Sequence, residues 1–585
     1  MGNYRNFTLV TYFVAHATAR VNREDLENQL AFMEKHLKLD KVYLEAWRGE
    51  LASHEQVEMI REVFENHGIQ VAGGITTVIP TPEGEKPKAR LFNTFCYNDP
   101  VMREKLKEVS AFTARHFDEF IIDDFFFTNC MCPDCVREKE AYNKAHGVAD
   151  GSWERYRLDL MRRVSVEDMI GSAKAANPRC RITIKYPNWA ESYQETGYNP
   201  LEQRKLFDMV YTGTETRDPA ATDQHLPRYL SFSLMTYFDA MWPGHNGGGW
   251  FDNFDTHITE HYLEQAYLTA FARPREIMLF CFQSLCDHMY TPALGYQLEK
   301  LDDLLDHAGV PDGIACYLPD NCQGEDNIQD FLGMNGLPIV CTPYFPDDAR
   351  QILLTRSSAC DPEAVDKLEA WLRRTGGDAI VTTGFVEAVR GKGLERLTSI
   401  RLRGRKVTAD SYRVEEAGSG RCLYPEGKEA VSLPVAEFRN NSTWAVVKAA
   451  RGEESCGILL RDDYCDGHLW TLAVPDAFPD LYRLPAAVLS RIRQAFPVKG
   501  VWLEGPARIS LFVYDNDSFV LYPYVMDGVQ RQAVRLHVKG ASALTVPGRR
   551  QFTIPPLYRR EDEAVFEVPA LPGQYVLYRI EREAD

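Results

Sequence analysis

Between residue 8 and about residue 330, short apolar runs alternate eight times with longer segments of helical period, and few folds tolerate that rhythm. The runs are Thr8–Val14, Lys41–Glu45, Ile69–Ile75, Glu119–Asp124, Arg181–Tyr186, Met209–Gly213, Ile277–Phe282 and Gly313–Leu318. Amphipathic stretches lie between them: Arg23–His36, His54–His67, Pro100–His116, Ser152–Ala176, Ile258–Ala272 and Leu294–His307. Leu226, Leu230, Leu234, Tyr237, Phe238 and Met241 recur at helical spacing, so residues 226–241 read as a helix rather than a strand. Eight strand-helix units predict an α/β fold, a closed (β/α)8 barrel enlarged by long loops, with its active site at the C-terminal ends of the strands. A doubly wound open sheet is the alternative, but no GxGxxG follows the first strand to support it.

The chain has 585 residues, more than one core can organise, so further domains are expected. The boundaries read as a barrel over 1–335, a flavodoxin- or amidotransferase-like αβ domain with a β insertion over 336–497, and a β-sandwich over 498–585. In the second domain, Leu337–Thr342, Gln351–Thr355 and Asp378–Thr383 read as strands and Asp361–Thr375 as a helix. Arg401–Val407 and Val435–Lys448 read as strands of the insertion. A formal charge of −18 opposes binding to nucleic acid or anionic lipid, and no apolar run nears the roughly 18 residues of a membrane span. The N-terminus lacks a secretory apolar stretch, which makes a cytoplasmic location the expectation. Of the fourteen cysteines, Cys180, Cys281, Cys286, Cys316, Cys341 and Cys360 then read as small buried hydrophobes. Cys341 and Cys360 also lack the nucleophile elbow and histidine partner that amidotransferase chemistry needs.

One stretch concentrates the chemistry: Phe120-Ile-Ile-Asp-Asp-Phe-Phe-Phe-Thr-Asn-Cys-Met-Cys-Pro-Asp-Cys135. It reads as a buried strand that delivers two carboxylates to the barrel rim and runs into three clustered thiols. Cys130, Cys132 and Cys135 are three-quarters of a tetrahedral zinc site, and Cys96, after the third strand, is the best fourth ligand. Four sulfurs leave no open position, so the zinc would be structural; reduced thiols without metal are the alternative reading. This cysteine pattern, followed by a flavodoxin-like and a small β domain, resembles glycoside hydrolase family 42, the zinc-containing β-galactosidases. The resemblance implies a glycosidase barrel and, because the middle domain trimerises in that family, a homo-oligomer, dimer or trimer. The chain departs from the family at the reacting positions. Asp123-Asp124 stands where the family has an Asn-Glu acid, and Cys281-Phe282-Gln283 stands at the expected strand-seven nucleophile.

Glycoside hydrolysis needs two carboxyl groups flanking the scissile bond. Glu45, Asp123, Asp124 and Glu215 are placed at strand ends, with Asp252 and Asp255 on the long loop after strand six. Neighbours in a strand face opposite ways unless the strand has already ended, so Asp124 is read as the reacting group and Asp123 as its orienting or substrate-binding neighbour. Tyr211-Thr-Gly-Thr-Glu-Thr-Arg217 then brings Glu215 and Arg217 to the same mouth, where a simple salt bridge is the competing explanation. An aspartate on strand four with an acid/base on strand six resembles the retaining α-galactosidase and α-glucosidase barrels, implying Asp124 as nucleophile and Glu215 as acid/base. Adjacent aspartates ending strand four also resemble the O-GlcNAcase type, in which the substrate's acetamido group attacks. Trp47, Tyr186, Trp189, Trp242 and Trp250 are candidate sugar platforms, with core packing equally open to each. Lys185, Glu45, Arg217, Asp252 and His16 are candidate hydroxyl ligands. The expectation is a glycosidase acting on an oligosaccharide or glycoconjugate, against a carbohydrate-binding protein on a degenerate barrel.

Overall fold

The computed structural model describes residues 3–79, 91–149, 151–218, 220–526, 528–548 and 550–582. The chain forms two compact units, Met1–His225 with Met241–Asp302, and Leu226–Ala240 with Asp303–Asp585.

The first unit is built on a closed parallel barrel of eight strands in sequence order. These are β1 (Thr8–Phe13), β2 (Lys41–Trp47), β3 (Gln70–Ile75), β4 (Glu119–Ile122), β5 (Arg181–Tyr186), β6 (Met209–Gly213), β7 (Asn246–Asp252) and β8 (Glu276–Phe280). β1 pairs with β8, Thr8 opposite Glu276, and closes the cylinder. Local signals start the crossover helices: Asn22, Ser53 and Asp99 accept hydrogen bonds from backbone N–H groups in the first turns of the helices that follow them.

The barrel is the predicted one, but two of its strands differ from the expectation. Asn246-Gly-Gly-Gly-Trp-Phe-Asp252, read as a loop, is β7, and the strand near Ile277 is therefore the eighth. The glycines are there because neighbouring backbone comes too close for a side chain. A Cβ on Gly248 would lie 1.9 Å from the Glu276 carbonyl oxygen, and one on Gly249 would lie 2.4 Å from Thr269 Cγ2. The run near Gly313 lies outside the barrel; Ile314–Tyr317 pairs with Ile339–Thr342 and Gln351–Leu354 in the second unit. Cys281-Phe282-Gln283 accordingly follows β8, and the residues that end strand seven are Trp250-Phe251-Asp252.

The barrel interior is filled in layers. Val10, Tyr12, Tyr43, Ala72, Ile121, Tyr211, Trp250 and Met278 pack together inside it. Nearer the N-terminal ends of the strands, Lys41 Nζ lies 2.5 Å from Glu119 and 3.4 Å from Glu276, while Tyr43 and Tyr211 donate to those same carboxylates. Every charge in this layer has an opposite partner, as burial requires. Chemistry is left to the other end.

In the second unit a mixed sheet begins with parallel strands and continues through the long antiparallel strands Arg401–Glu415, Glu426–Glu437, Thr443–Arg451 and Glu454–Tyr464. The segment read as one strand over Val435–Lys448 is thus two strands separated by a turn, and it belongs to this same sheet. From Val501 onward the chain forms antiparallel sheets of four and six strands, the latter taking in Pro311–Asp312. Among the described residues, no helix is long and apolar enough to cross a membrane.

Candidate active site

At the C-terminal ends of the strands a cavity of about 280 Å³ opens, and it holds both carboxylates that the sequence singles out. β4 ends at Ile122, so Asp123 and Asp124 are freed from strand alternation and both line the cavity, rather than facing opposite ways. Lys185, near the end of β5, is almost wholly buried at its centre. Its Nζ lies 2.6 Å from Asp124 Oδ2, 3.4 Å from Glu215 Oε1 and 3.7 Å from Asp123 Oδ1, and it sits over the Trp250 ring. Since Asp124 and Glu215 share one ammonium, their nearest oxygens are within about 6 Å of each other.

The two aspartates differ in freedom. Asp123 accepts from Arg48 Nη2 at 2.7 Å and from the Asp124 backbone N–H at 2.8 Å, with Thr76 Oγ1, which donates to Glu45, 3.3 Å away. Burial pushes its pKa up, but Lys185 and Arg48 outweigh burial and hold it below the usual carboxylate range. Asp123 is therefore a locked anion. Asp124 is pushed up to about 7 by burial and by the negative charges of Asp123 and Glu215, with Lys185 pulling the other way. Burial also raises Glu215, against the pull of Lys185. Its Oε2 is buried with no hydrogen-bond partner among the described residues, and Gly213 leaves room for the carboxyl, since a Cβ there would lie 2.9 Å from that oxygen. A buried carboxyl with one unpaired oxygen suits a group that carries a proton and hands it over.

Among the other predicted residues, Arg217, Trp189, Trp250 and Asp252 line the cavity. Asp252 ends β7 and takes two hydrogen bonds from Arg217, at 3.0 and 2.7 Å, so this pair is a brace across the rim. Six others lie elsewhere, among them Trp242, which stacks on His245, and the exposed Asp255, 4.0 Å from Arg217. Glu45 is fully buried behind the site, accepting from Tyr12, the Ala15 N–H, Thr76 and, with both of its oxygens, the Arg48 Nε–H. Tyr186 is buried and donates to Gln203, Trp47 packs against Phe95, and His16 is exposed and pairs with Arg20.

Arg48 is the main residue that sequence reasoning missed. It bridges Glu45 and Asp123 and lies between the rings of Phe125 and Phe280. Its one signal is its position, directly after Trp47 at the end of β2. Phe92, Asn188 and Phe254 also line the cavity.

Beyond β4, Cys96, Cys130, Cys132 and Cys135 come together with all four sulfurs within 4.8 Å of one another. Cys96 lies 3.9 Å from Cys132 and 3.5 Å from Cys135. These spacings bracket the sulfur–sulfur edge of about 3.8 Å expected for a tetrahedron with zinc–sulfur bonds of about 2.3 Å. The residues fit a closed tetrathiolate site. Asn98 Nδ2 donates to Cys135 Sγ at 3.2 Å, as an outer partner of a metal thiolate would.

With the geometry described, comparison with known proteins narrows the reading. The chain is 26% identical over 514 residues to the uncharacterized protein SSO3021 of Saccharolobus solfataricus, covering 82% of this chain and 83% of that protein. Residues 306–477 match the family described as the second domain of that protein. Among solved structures, the fold is similar to α-L-fucosidase isoenzyme 2 from Paenibacillus thiaminolyticus, with TM-score 0.63, 12% identity and all of both chains covered. It is also similar to exo-β-1,4-mannosidase Op5Man5 from Opitutaceae bacterium strain TAV5, with TM-score 0.50, 11% identity, and 84% of this chain and 94% of that one covered. At those identities the likeness is one of fold. Residues 1–299, just over half the chain, match the family described as probable glycosyl hydrolase, catalytic domain; the chain belongs to that family and is a glycosidase.

Proposed function

We propose that this glycosidase retains anomeric configuration, with Asp124 as nucleophile and Glu215 as acid/base, in cleaving an oligosaccharide or glycoconjugate. The observation that carries the reading is the shared ammonium, which keeps Asp124 and Glu215 within about 6 Å of each other. A ceiling of about 6 Å on the nearest oxygens accommodates the retaining spacing of about 5–5.5 Å. Asp124 attacks the anomeric carbon while Glu215 gives its proton to the departing oxygen, and the bond from carbon to that oxygen breaks. Glu215, now a carboxylate, takes a proton from water as the water displaces Asp124. Lys185 stabilises the anionic forms of both groups throughout.

The acetamido-assisted alternative asks Asp123 to orient the substrate's amide. As an anion Asp123 could accept the amide N–H; what favours the Asp124–Glu215 pair is that the alternative leaves the buried Glu215 carboxyl, with its unpartnered Oε2, outside the chemistry. In the same reading, the four cysteines hold a structural zinc that fixes the loop following Asp124. With an aryl glycoside as substrate, Asp124→Asn is expected to lower kcat at least about 10³-fold. Activity within tenfold of wild type would remove Asp124 from the mechanism.

A further inference from the structure

Two phenylalanines at the mouth of the cavity are left in water to a degree that packing does not explain. Phe92 is 63% exposed and Phe254 is 43% exposed, and both line the same cavity as the reacting carboxylates. Each is backed by an inner ring. Phe92 meets Phe125 edge-on at 5.3 Å and Phe254 meets Phe280 edge-on at 5.9 Å. The inner rings are fixed in turn by the Arg48 guanidinium, 5.5 Å from Phe125 and 6.0 Å from Phe280. Exposed aromatic surface continuous with a polar cleft marks a place where a ligand sits.

Resting on the proposed roles of Asp124 and Glu215, we propose that the leaving-group side of this cleft takes an aromatic aglycone, so that the substrate is an arylalkyl or aryl glycoside rather than an oligosaccharide. The cavity volume of about 280 Å³ lies at the lower edge of the roughly 300–1,000 Å³ of small-molecule pockets, so it encloses about one sugar ring. The leaving group must then lie at the mouth. A second sugar there would offer one apolar face to the rings but also bring hydroxyls needing partners, and phenylalanine supplies neither donor nor acceptor. Of the polar side chains lining the cavity, Asp123 is engaged with Arg48, Asp252 with Arg217 and Asn188 Nδ2 with the Glu215 carbonyl, which leaves the exposed Gln224 amide at the rim. An aromatic ring has no hydroxyl to leave unpaired. It stacks offset or edge-on against phenylalanine, each such contact being worth up to roughly tenfold in affinity.

The test uses the full-length enzyme and whichever sugar an aryl-glycoside screen identifies. The methyl glycoside, the 2-phenylethyl glycoside and a disaccharide of that sugar all release an alkyl oxygen, so leaving-group acidity does not dominate the comparison. kcat/KM for the 2-phenylethyl glycoside is expected to exceed that for the methyl glycoside and the disaccharide by at least about tenfold. Phe92→Ala and Phe254→Ala should each collapse that ratio toward one. A wild-type ratio near one, a disaccharide preferred over the 2-phenylethyl glycoside, or a ratio unmoved in both variants overturns the proposal. An Asp124→Asn enzyme that turns over all three as wild type does, whatever the ratio, overturns instead the catalytic reading beneath it.

Discussion

A single ammonium, Lys185 Nζ, stands 2.6 Å from Asp124 and 3.4 Å from Glu215, so the two carboxyl groups titrate as a pair. The working form carries one proton between them. Burial raises both carboxyls, Asp124 to about 7, so on the proposed mechanism the pair is expected to lose its last proton, and activity to fall, as pH rises past neutrality. A second fall at lower pH, as the pair takes up its second proton, completes a bell. Lys185 lowers both pKa values by favouring the anions; Lys185→Met is therefore expected to move the alkaline limb to higher pH and to lower kcat roughly 10²-fold. A pH–rate profile of the variant checks both, and an unmoved alkaline limb would count against the pairing. The Arg217–Asp252 brace makes a different prediction. Arg217→Ala strands a buried Asp252 carboxylate and is expected to destabilise the fold by about 3 kcal/mol in denaturant unfolding. Asp124, Glu215 and Lys185 were legible in the sequence because each sits at the end of an apolar run. Arg48 was not, because an arginine after a strand looks the same whether it faces solvent or is folded back onto two buried carboxylates.

At the level of the elements, the sequence pattern showed most of the barrel because its strands are apolar on both faces and its helices are amphipathic. β7 escaped because three consecutive glycines look like a turn. Their meaning lies in close approach across the sheet, which a local pattern does not carry. Gly248→Ala would place a methyl group 1.9 Å from the Glu276 carbonyl oxygen and force β7 away from β8; a loss of about 3 kcal/mol or more is expected in thermal unfolding. Gly213→Ala should behave differently. Its nearest obstacle is the Glu215 carboxyl at 2.9 Å, so the variant is expected to lose activity well before stability. β4 also ends two residues before the predicted Glu119–Asp124 run does, and that difference alone frees Asp123 and Asp124 from opposite faces.

For the molecule as a whole, the cysteine cluster is where widely separated sequence and function meet: Cys96 joins three thiols from more than thirty residues downstream. One zinc per chain is expected by elemental analysis, with a chelator lowering the melting temperature and leaving the chemistry to the carboxylates. The alternation of strands and helices revealed the barrel, whereas the second unit was harder to read because its sheet changes from parallel to antiparallel pairing within one layer. On the proposed mechanism, Asp124 forms a covalent bond to the sugar. In Glu215→Gln enzyme supplied with an activated aryl glycoside, departure needs no acid but hydrolysis lacks its base, so the intermediate should accumulate. Mass spectrometry of the digested protein should then find one sugar residue on the peptide containing Asp124, localised to that side chain. An unmodified Asp124 peptide during the burst, or a sugar attached elsewhere, would contradict the account.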